Sequence, residues 1–235
     1  MPGLAVVSPH LDDAVLSAWS ALRRGALVVN VFDGVPAAGT LARWDRVTRA
    51  SDSAERMRER LAEDRAALAV AGAESVSLGL LEAQYRDGEP DTAALDAALD
   101  AAVRDRGEVW APAGIGAHPD HAAVRRWALA LAASGGARVR LYAELPYAVR
   151  HGWPGWVIGQ DEPAYFAHDA WWEAHLPQGV ALAPAAHGLD ADEVELKLRA
   201  LAEYRTQLYA VDGGPAGLVT GPATRGFELS WAVGA

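Results

Sequence analysis

A three-layer α/β/α fold on a mostly parallel sheet, with an irregular C-terminal extension, is what this sequence predicts. Three observations carry that prediction. Short apolar runs of strand length alternate with helix-length segments over the first two-thirds of the chain. One of these runs, Ala26 to Phe32, has almost no polar alternation, as a strand buried on both faces of a parallel sheet should. The alternation then stops at Pro146, and a Pro-, Gly- and Trp-bearing segment follows.

The elements can be justified in order. Leu4 to Val7 is a short β run. Asp12 to Arg24 reads as one helix, with Val15, Leu16, Trp19 and Leu22 on a face and Gly25 at its end. Ala26 to Phe32 is the second strand, and a Gly/Pro/Ala loop covers 34–40. Ser53 to Ala71 is a long helix whose many Arg and Glu side chains form a solvated face, with Gly72 as its C-cap. Ser75 to Leu78 is a third strand, Thr92 to Arg104 a helix, and Glu108 to Ala111 a fourth strand. His121 to Ala133 is a helix closed by Gly135-Gly136, and Ala137 to Glu144 is a fifth strand. Residues 146–189, with Trp153, Trp156, Tyr165, Trp171 and Trp172, read as an irregular insertion or small β extension rather than a second domain. Asp192 to Leu208 returns to helix, and Phe227 to Val233 reads as a final strand. With no internal repeat or low-complexity linker, residues 1–235 are read as a single domain.

Composition narrows the function. An apolar fraction of 51% can build a sizeable core. A net charge of −10 argues against a nucleic-acid partner, which needs a basic face, and against an anionic membrane surface. The absence of cysteine removes disulfide and thiolate chemistry, so any metal must be held by His and carboxylate. The N-terminus enters a strand-like run without a basic leader, and no apolar run reaches about 18 residues, so a cytoplasmic location without a membrane partner is expected.

Two clusters carry chemistry. Ser8-Pro9-His10-Leu11-Asp12-Asp13 sits where the first strand ends and the first helix begins, the place at which open α/β sheets bind ligands. One Asp could cap the helix, but a cap does not explain His-x-Asp-Asp. Adjacent carboxylates cannot point the same way, so one can bind a metal beside His10 while the other faces a metal-bound water. His118-Pro119-Asp120-His121 likewise follows a strand and opens a helix. His118 and His121, three residues apart, share a face or flank one turn. Asp120 can hold the tautomer of a histidine. Two such clusters at strand ends in a cysteine-free chain are unlike a pair of incidental helix starts.

The two motifs together resemble those of the PIG-L/LmbE-like family of zinc-dependent de-N-acetylases, the N-acetylglucosamine-type deacetylases of thiol and antibiotic pathways. That family's first motif is usually His-Pro-Asp-Asp; Leu11 replaces the Pro here, at a position without chemistry. Arg60-Leu61-Ala62-Glu63, Tyr85-Arg86-Asp87, and Lys197 with Tyr204, Thr206 and Gln207 extend the likeness over nearly the whole chain. The resemblance implies a Rossmann-like fold and a Zn2+ cofactor bound by His10, Asp13 and His121. It implies that Asp12 is the general base and that His118, as an imidazolium, stabilises the oxyanion or protonates the leaving amine. Arg60 and Asp87 match positions that hold a sugar. Some relatives place a Tyr just before the second motif; Gly116 and Ala117 stand there instead.

Other residues are weighed more lightly. Trp44, in a loop near the second strand's end, is a candidate for the mouth of the site and for contact with substrate. The later Trp cluster could stack on sugar faces but equally fills cores. Glu144 and Tyr147 follow the fifth strand and could reach the site. His151, His168, His175 and His187 lack a partner motif. The expected activity is hydrolysis of an N-acetyl group from an amino sugar or its small glycoside or conjugate, with a small-molecule N-acetylated sugar as partner. A homo-oligomer is left open. The competing readings are an amidase acting on thiol-sugar conjugates and a non-catalytic carbohydrate-binding protein on the same fold. A Rossmann-type nucleotide binder is disfavoured, because no Gly-x-Gly-x-x-Gly follows the first strand.

Overall fold

The computed structural model describes residues 3–151 and 178–234. The Trp-rich stretch 153–172, with His168, and His175 beyond it lie outside the described residues.

Strand β1 (Gly3–Ser8) leads into helices α1 (Asp13–Ser17) and α2 (Trp19–Leu22), then strand β2 (Leu27–Asn30). Helices α3 (Arg43–Val47) and α4 (Ser53–Ala71) precede β3 (Ser75–Ser77), and α5 (Thr92–Val103) precedes β4 (Arg106–Pro112). Helix α6 (Pro119–Ala133) connects to β5 (Arg138–Tyr142). Strand β6 (Ala181–Gly188), helices α7 (Ala191–Leu201) and α8 (Leu208–Val211), and strand β7 (Phe227–Gly234) complete the described chain. The seven strands form one sheet in the order β3-β2-β1-β4-β5-β7-β6. The first five run parallel, while β7 is antiparallel to both β5 and β6. Helices cover both faces, giving the three-layer architecture the alternation predicts.

Burial explains the composition of the central strands. Ala5, Val6, Val7, Val28, Val29 and Val109 are all fully buried, so these strands need apolar side chains on both faces. Trp19, Trp110, Tyr142 and Trp231 are also fully buried. α4 is capped at one end by Asp52, whose side chain accepts from Glu55 N, and at the other by Gly72 in the left-handed conformation.

Four features depart from expectation, each for a local reason. The helix expected over 12–24 is broken at Ala18, because Trp19 N and Ser20 N donate to the two oxygens of Glu228 at 2.6 and 2.8 Å. Glu228 is itself paired with Lys197 at 2.9 Å, both side chains being almost wholly buried. The helix expected to reach Leu208 ends at Leu201, since Thr206 turns its amide and hydroxyl to the Glu63 carboxylate at 3.0 and 2.7 Å. Residues 181–188, expected within the irregular 146–189 segment, join the central sheet as β6. Their Ala, Pro and Gly content is weak strand sequence, tolerated on an edge strand that pairs with β7 alone among the described residues. Finally, the short α3 falls in a stretch for which the sequence offers no periodicity.

Candidate active site

Both motifs follow strands that lie side by side at the point where the strand order reverses: β2 and β3 lie on one side of β1, β4 and β5 on the other. Loops diverge there and leave a crevice at the carboxyl ends. The first loop is fixed by its own side chains. Ser8 Oγ donates to His10 O at 2.6 Å and accepts from Ala14 N at 3.0 Å, while Asp13 Oδ2 accepts from His10 N at 2.8 Å. Asp12 occupies the N-cap position of α1, yet its carboxylate makes no capping bond, so it is left for other work.

The second motif closes on the first. His10 Nδ1 lies 3.2 Å from His121 Nε2, and Asp13 Oδ2 lies 3.6 Å from His10 Nδ1 and 3.2 Å from His121 Nε2. Each of these histidines is held from behind. His10 Nε2 meets Asp120 Oδ2 at 3.0 Å, and His121 Nδ1 meets Glu144 Oε1 at 3.0 Å. A carboxylate can only accept, so the outer nitrogens carry the protons and the inner lone pairs face one another. Two lone pairs and a carboxylate oxygen converging in a buried place are unfavourable without a cation between them. Tetrahedral zinc with bonds of about 2.0–2.2 Å needs donor separations of roughly 3.3–3.6 Å, close to those found. Nitrogen and carboxylate donors without thiolate suit zinc.

His118 also stands within this cluster, its donor atom and those of His10 and His121 all within 4.8 Å of one another. Its tautomer differs. His118 Nδ1 accepts from Asp120 N at 3.3 Å as the N-cap of α6. The neutral ring therefore carries its proton on Nε2 and offers a donor rather than a lone pair.

The charges tell the same story. Burial lowers the His121 imidazole, but Asp13 and Glu144 outweigh it and bring it up to about 10. Burial raises the Asp13 carboxyl, but His121 and His10 outweigh that and hold it at about 2. The surroundings thus demand positive charge at the point zinc would fill. Burial, then the charges of His10 and His121, pull His118 down to about 4. That direction favours the neutral ring over the imidazolium that the family resemblance implies. Burial and the neighbouring Asp13 raise Asp12 above the usual carboxylate range, while Arg60 and His10 oppose them. Burial raises the Asp120 carboxyl, but its bonds from His10, Ala83 N and Arg86 keep it well below that range.

A cavity of about 330 Å³ opens over these groups, and His10, Asp12, Asp13, Arg60, Trp44 and His118 line it. Arg60, from α4, pairs with Glu82 at 2.5 Å. Trp44 is 36% exposed and donates from Nε1 to Gln207 Oε1 at 2.7 Å. Asp87 is not brought to this cavity; it is exposed, and its neighbour Arg86 turns inward to Asp120 Oδ1 at 2.5 Å. Tyr147 lines the cavity and meets the His121 ring edge-on. His187 lies elsewhere, bonded to Ser230. Glu82 carries no sequence signal beyond its place after β3, and Arg86 only its place in the Tyr85-Arg86-Asp87 match, while Glu144 could be found only from its place at the end of a strand beside β4.

No family model and no curated protein matches the chain. Among solved structures the likeness is extensive, and the fold is that of the PIG-L/LmbE-like de-N-acetylases. Dbv21, the A40926 pseudoaglycone deacetylase, is 29% identical, covers 99% of this chain and 97% of its own, and superposes with a TM-score of 0.76. A triple mutant of the deacetylase Orf2, involved in the teicoplanin biosynthetic pathway, is 26% identical over 99% of this chain and 98% of its own, with a TM-score of 0.75. N,N'-diacetylchitobiose deacetylase from Pyrococcus horikoshii, at 16% identity, 89% and 73% coverage and a TM-score of 0.54, shares the fold.

Proposed function

We propose that this chain is a zinc-dependent deacetylase that hydrolyses the N-acetyl group of an amino sugar, or of its small glycoside or conjugate, and releases acetate. The observation that carries the reading is the pair of back-braced histidines, whose inward lone pairs meet Asp13 Oδ2 at 3.2 and 3.6 Å. In this reading His10 Nδ1, Asp13 Oδ2 and His121 Nε2 hold the metal, and three protein ligands leave a position open, as catalytic zinc requires. Zinc there would supply a Lewis acid that acidifies water and polarises the acetyl carbonyl.

The remaining steps belong to the chain. Asp12, which caps nothing and lines the cavity, takes a proton from the attacking water; its raised affinity for protons suits a base. The Arg60 charge works against that rise and favours the ionised form the base needs. As the C–O bond forms, charge gathers on the carbonyl oxygen, and the His118 Nε2–H donates to it; such a donor is worth roughly 3–4 kcal/mol. Asp12 then returns its proton to the amine nitrogen, the C–N bond breaks, and acetate and the free amino sugar leave. Trp44, at the rim, offers a ring to the apolar face of a sugar. Two neighbours above 25% identity are deacetylases, which favours an acetyl group over other acyl chains.

An acetate-release assay across N-acetylglucosamine and its glycosides tests this. Turnover should vanish on thorough chelation and return with stoichiometric zinc. Turnover that survives metal removal overturns the reading.

A further inference from the structure

Behind the base lies a buried polar group for which the hydrolysis has no use. Asp64, on α4, is 2% exposed and touches neither the cavity nor the inward donor atoms. Its Oδ2 accepts from Asn30 Nδ2 at 2.8 Å. Its Oδ1 lies 2.9 Å from Tyr204 Oη, and the same phenol oxygen lies 3.2 Å from Leu11 O. Tyr204, likewise 2% exposed, has one proton for these two contacts. The Leu11 carbonyl can only accept. Both contacts are hydrogen bonds in one arrangement: Tyr204 donates to Leu11 O, and Asp64, as a carboxylic acid, donates to Tyr204. The surroundings agree, because burial and the charges of Asp12 and Asp33 outweigh the Tyr204 and Asn30 bonds and push Asp64 up to about 7.

The carbonyl so held is the one in the Leu11–Asp12 peptide. Asp12 has no capping bond of its own to fix its orientation, so the plane of that peptide sets where its carboxylate stands. We infer that Asp64 and Tyr204 form a positioning relay for the base: Asp64 orients the Tyr204 hydroxyl, which pins Leu11 O and with it the backbone that presents Asp12. The relay rests on the deacetylase reading for its effect on rate, but its chemistry can be read separately.

Tyr204→Phe and Asp64→Leu change little volume and remove the relay. Each should lower kcat roughly tenfold to a hundredfold, the scale of a misplaced catalytic group, with KM and zinc content near those of wild type and a Tm lowered only as far as the lost buried hydrogen bonds require. Asp64→Asn, whose amide can donate to Tyr204 while its oxygen accepts from Asn30, should recover most of the kcat that Asp64→Leu loses. Independently, the infrared difference between zinc-loaded wild type and Asp64→Asn at about pH 6 should contain a carboxylic-acid C=O band. An unchanged kcat in Tyr204→Phe overturns the relay, as does Asp64→Asn as impaired as Asp64→Leu, a loss matched by lost zinc, or an absent infrared band. If Asp64→Leu does not fold, Tyr204→Phe and the infrared arm still decide. A wild type that deacetylates no amino sugar yet shows the band refutes the deacetylase reading and the catalytic role, and leaves the neutral Asp64 standing.

Discussion

Asp12 shows how a single residue's task can be read from what it declines to do. It occupies the helix-cap position, but Ser8 Oγ takes the first free amide, from Ala14, and the Asp12 carboxylate is left facing the cavity. Asp13, one residue on, spends Oδ2 on His10 N and on the two histidines. The sequence already shows that two adjacent carboxylates must divide their labour; it cannot show which does what, because that depends on the turn Ser8 imposes. Two expectations follow at this scale. Asp12→Ala should keep stoichiometric zinc by elemental analysis while losing nearly all turnover, and His121→Ala should lose the zinc itself. A variant pattern with these two results exchanged refutes the division of roles. Asp120→Ala should weaken zinc about 10–100-fold in competition with a chelator, because it frees the His10 ring to rotate. Zinc affinity equal to wild type would mean that Asp120 merely anchors Ala83 N and Arg86.

At the scale of elements, the first helix is the instructive failure of sequence reading. Val15, Leu16, Trp19 and Leu22 do lie on one apolar face, and all four are buried. Periodicity cannot see Glu228, about two hundred residues away in the chain, which accepts from Trp19 N and Ser20 N and splits the helix. The long α4, by contrast, is legible to the residue, because its cap and its C-terminal glycine are local signals. β6 is missed because its stability comes from pairing with β7, not from its own composition. The buried Lys197–Glu228 pair has an energetic consequence. Removing one partner strands a charge in the core, which costs about 3–5 kcal/mol. Lys197→Met should therefore lower the unfolding free energy by that amount, read from the shift in denaturation midpoint. Glu228→Leu should cost more, since it also leaves two buried amides unbonded at the break between α1 and α2. Equal midpoints for Glu228→Leu and wild type would show that the break is set by something else.

At the scale of the whole molecule, the sheet order does what neither motif does alone. β1 and β4 are neighbours at the reversal, so segments more than a hundred residues apart deliver His10, Asp13 and His121 to one point. That convergence was legible in the alternation of strands and helices, and so was a tautomer-holding role for Asp120, though not that the histidine it holds is His10 of the other motif; Glu144, at the end of β5, was legible only as an acidic residue that could reach the site. The braced site also couples metal, proton and fold. Without metal, His121 keeps a proton to about 10 when folded, against 6.5 for the free imidazole. A group whose folded pKa is raised adds stability that is complete below its unfolded pKa and drains away as pH rises toward the folded one. The metal-free protein should thus lose stability as pH climbs above about 6.5, as the buried proton becomes harder to keep. Zinc held by His121 would take that proton's place and release it to solvent, so its grip would tighten as pH rises. Thermal melts at a fixed small excess of zinc should therefore show a zinc-induced rise in Tm that grows between about pH 6.5 and pH 8.5, while the metal-free Tm falls. A zinc effect that shrinks over this range would mean that His121 does not exchange a proton for the metal.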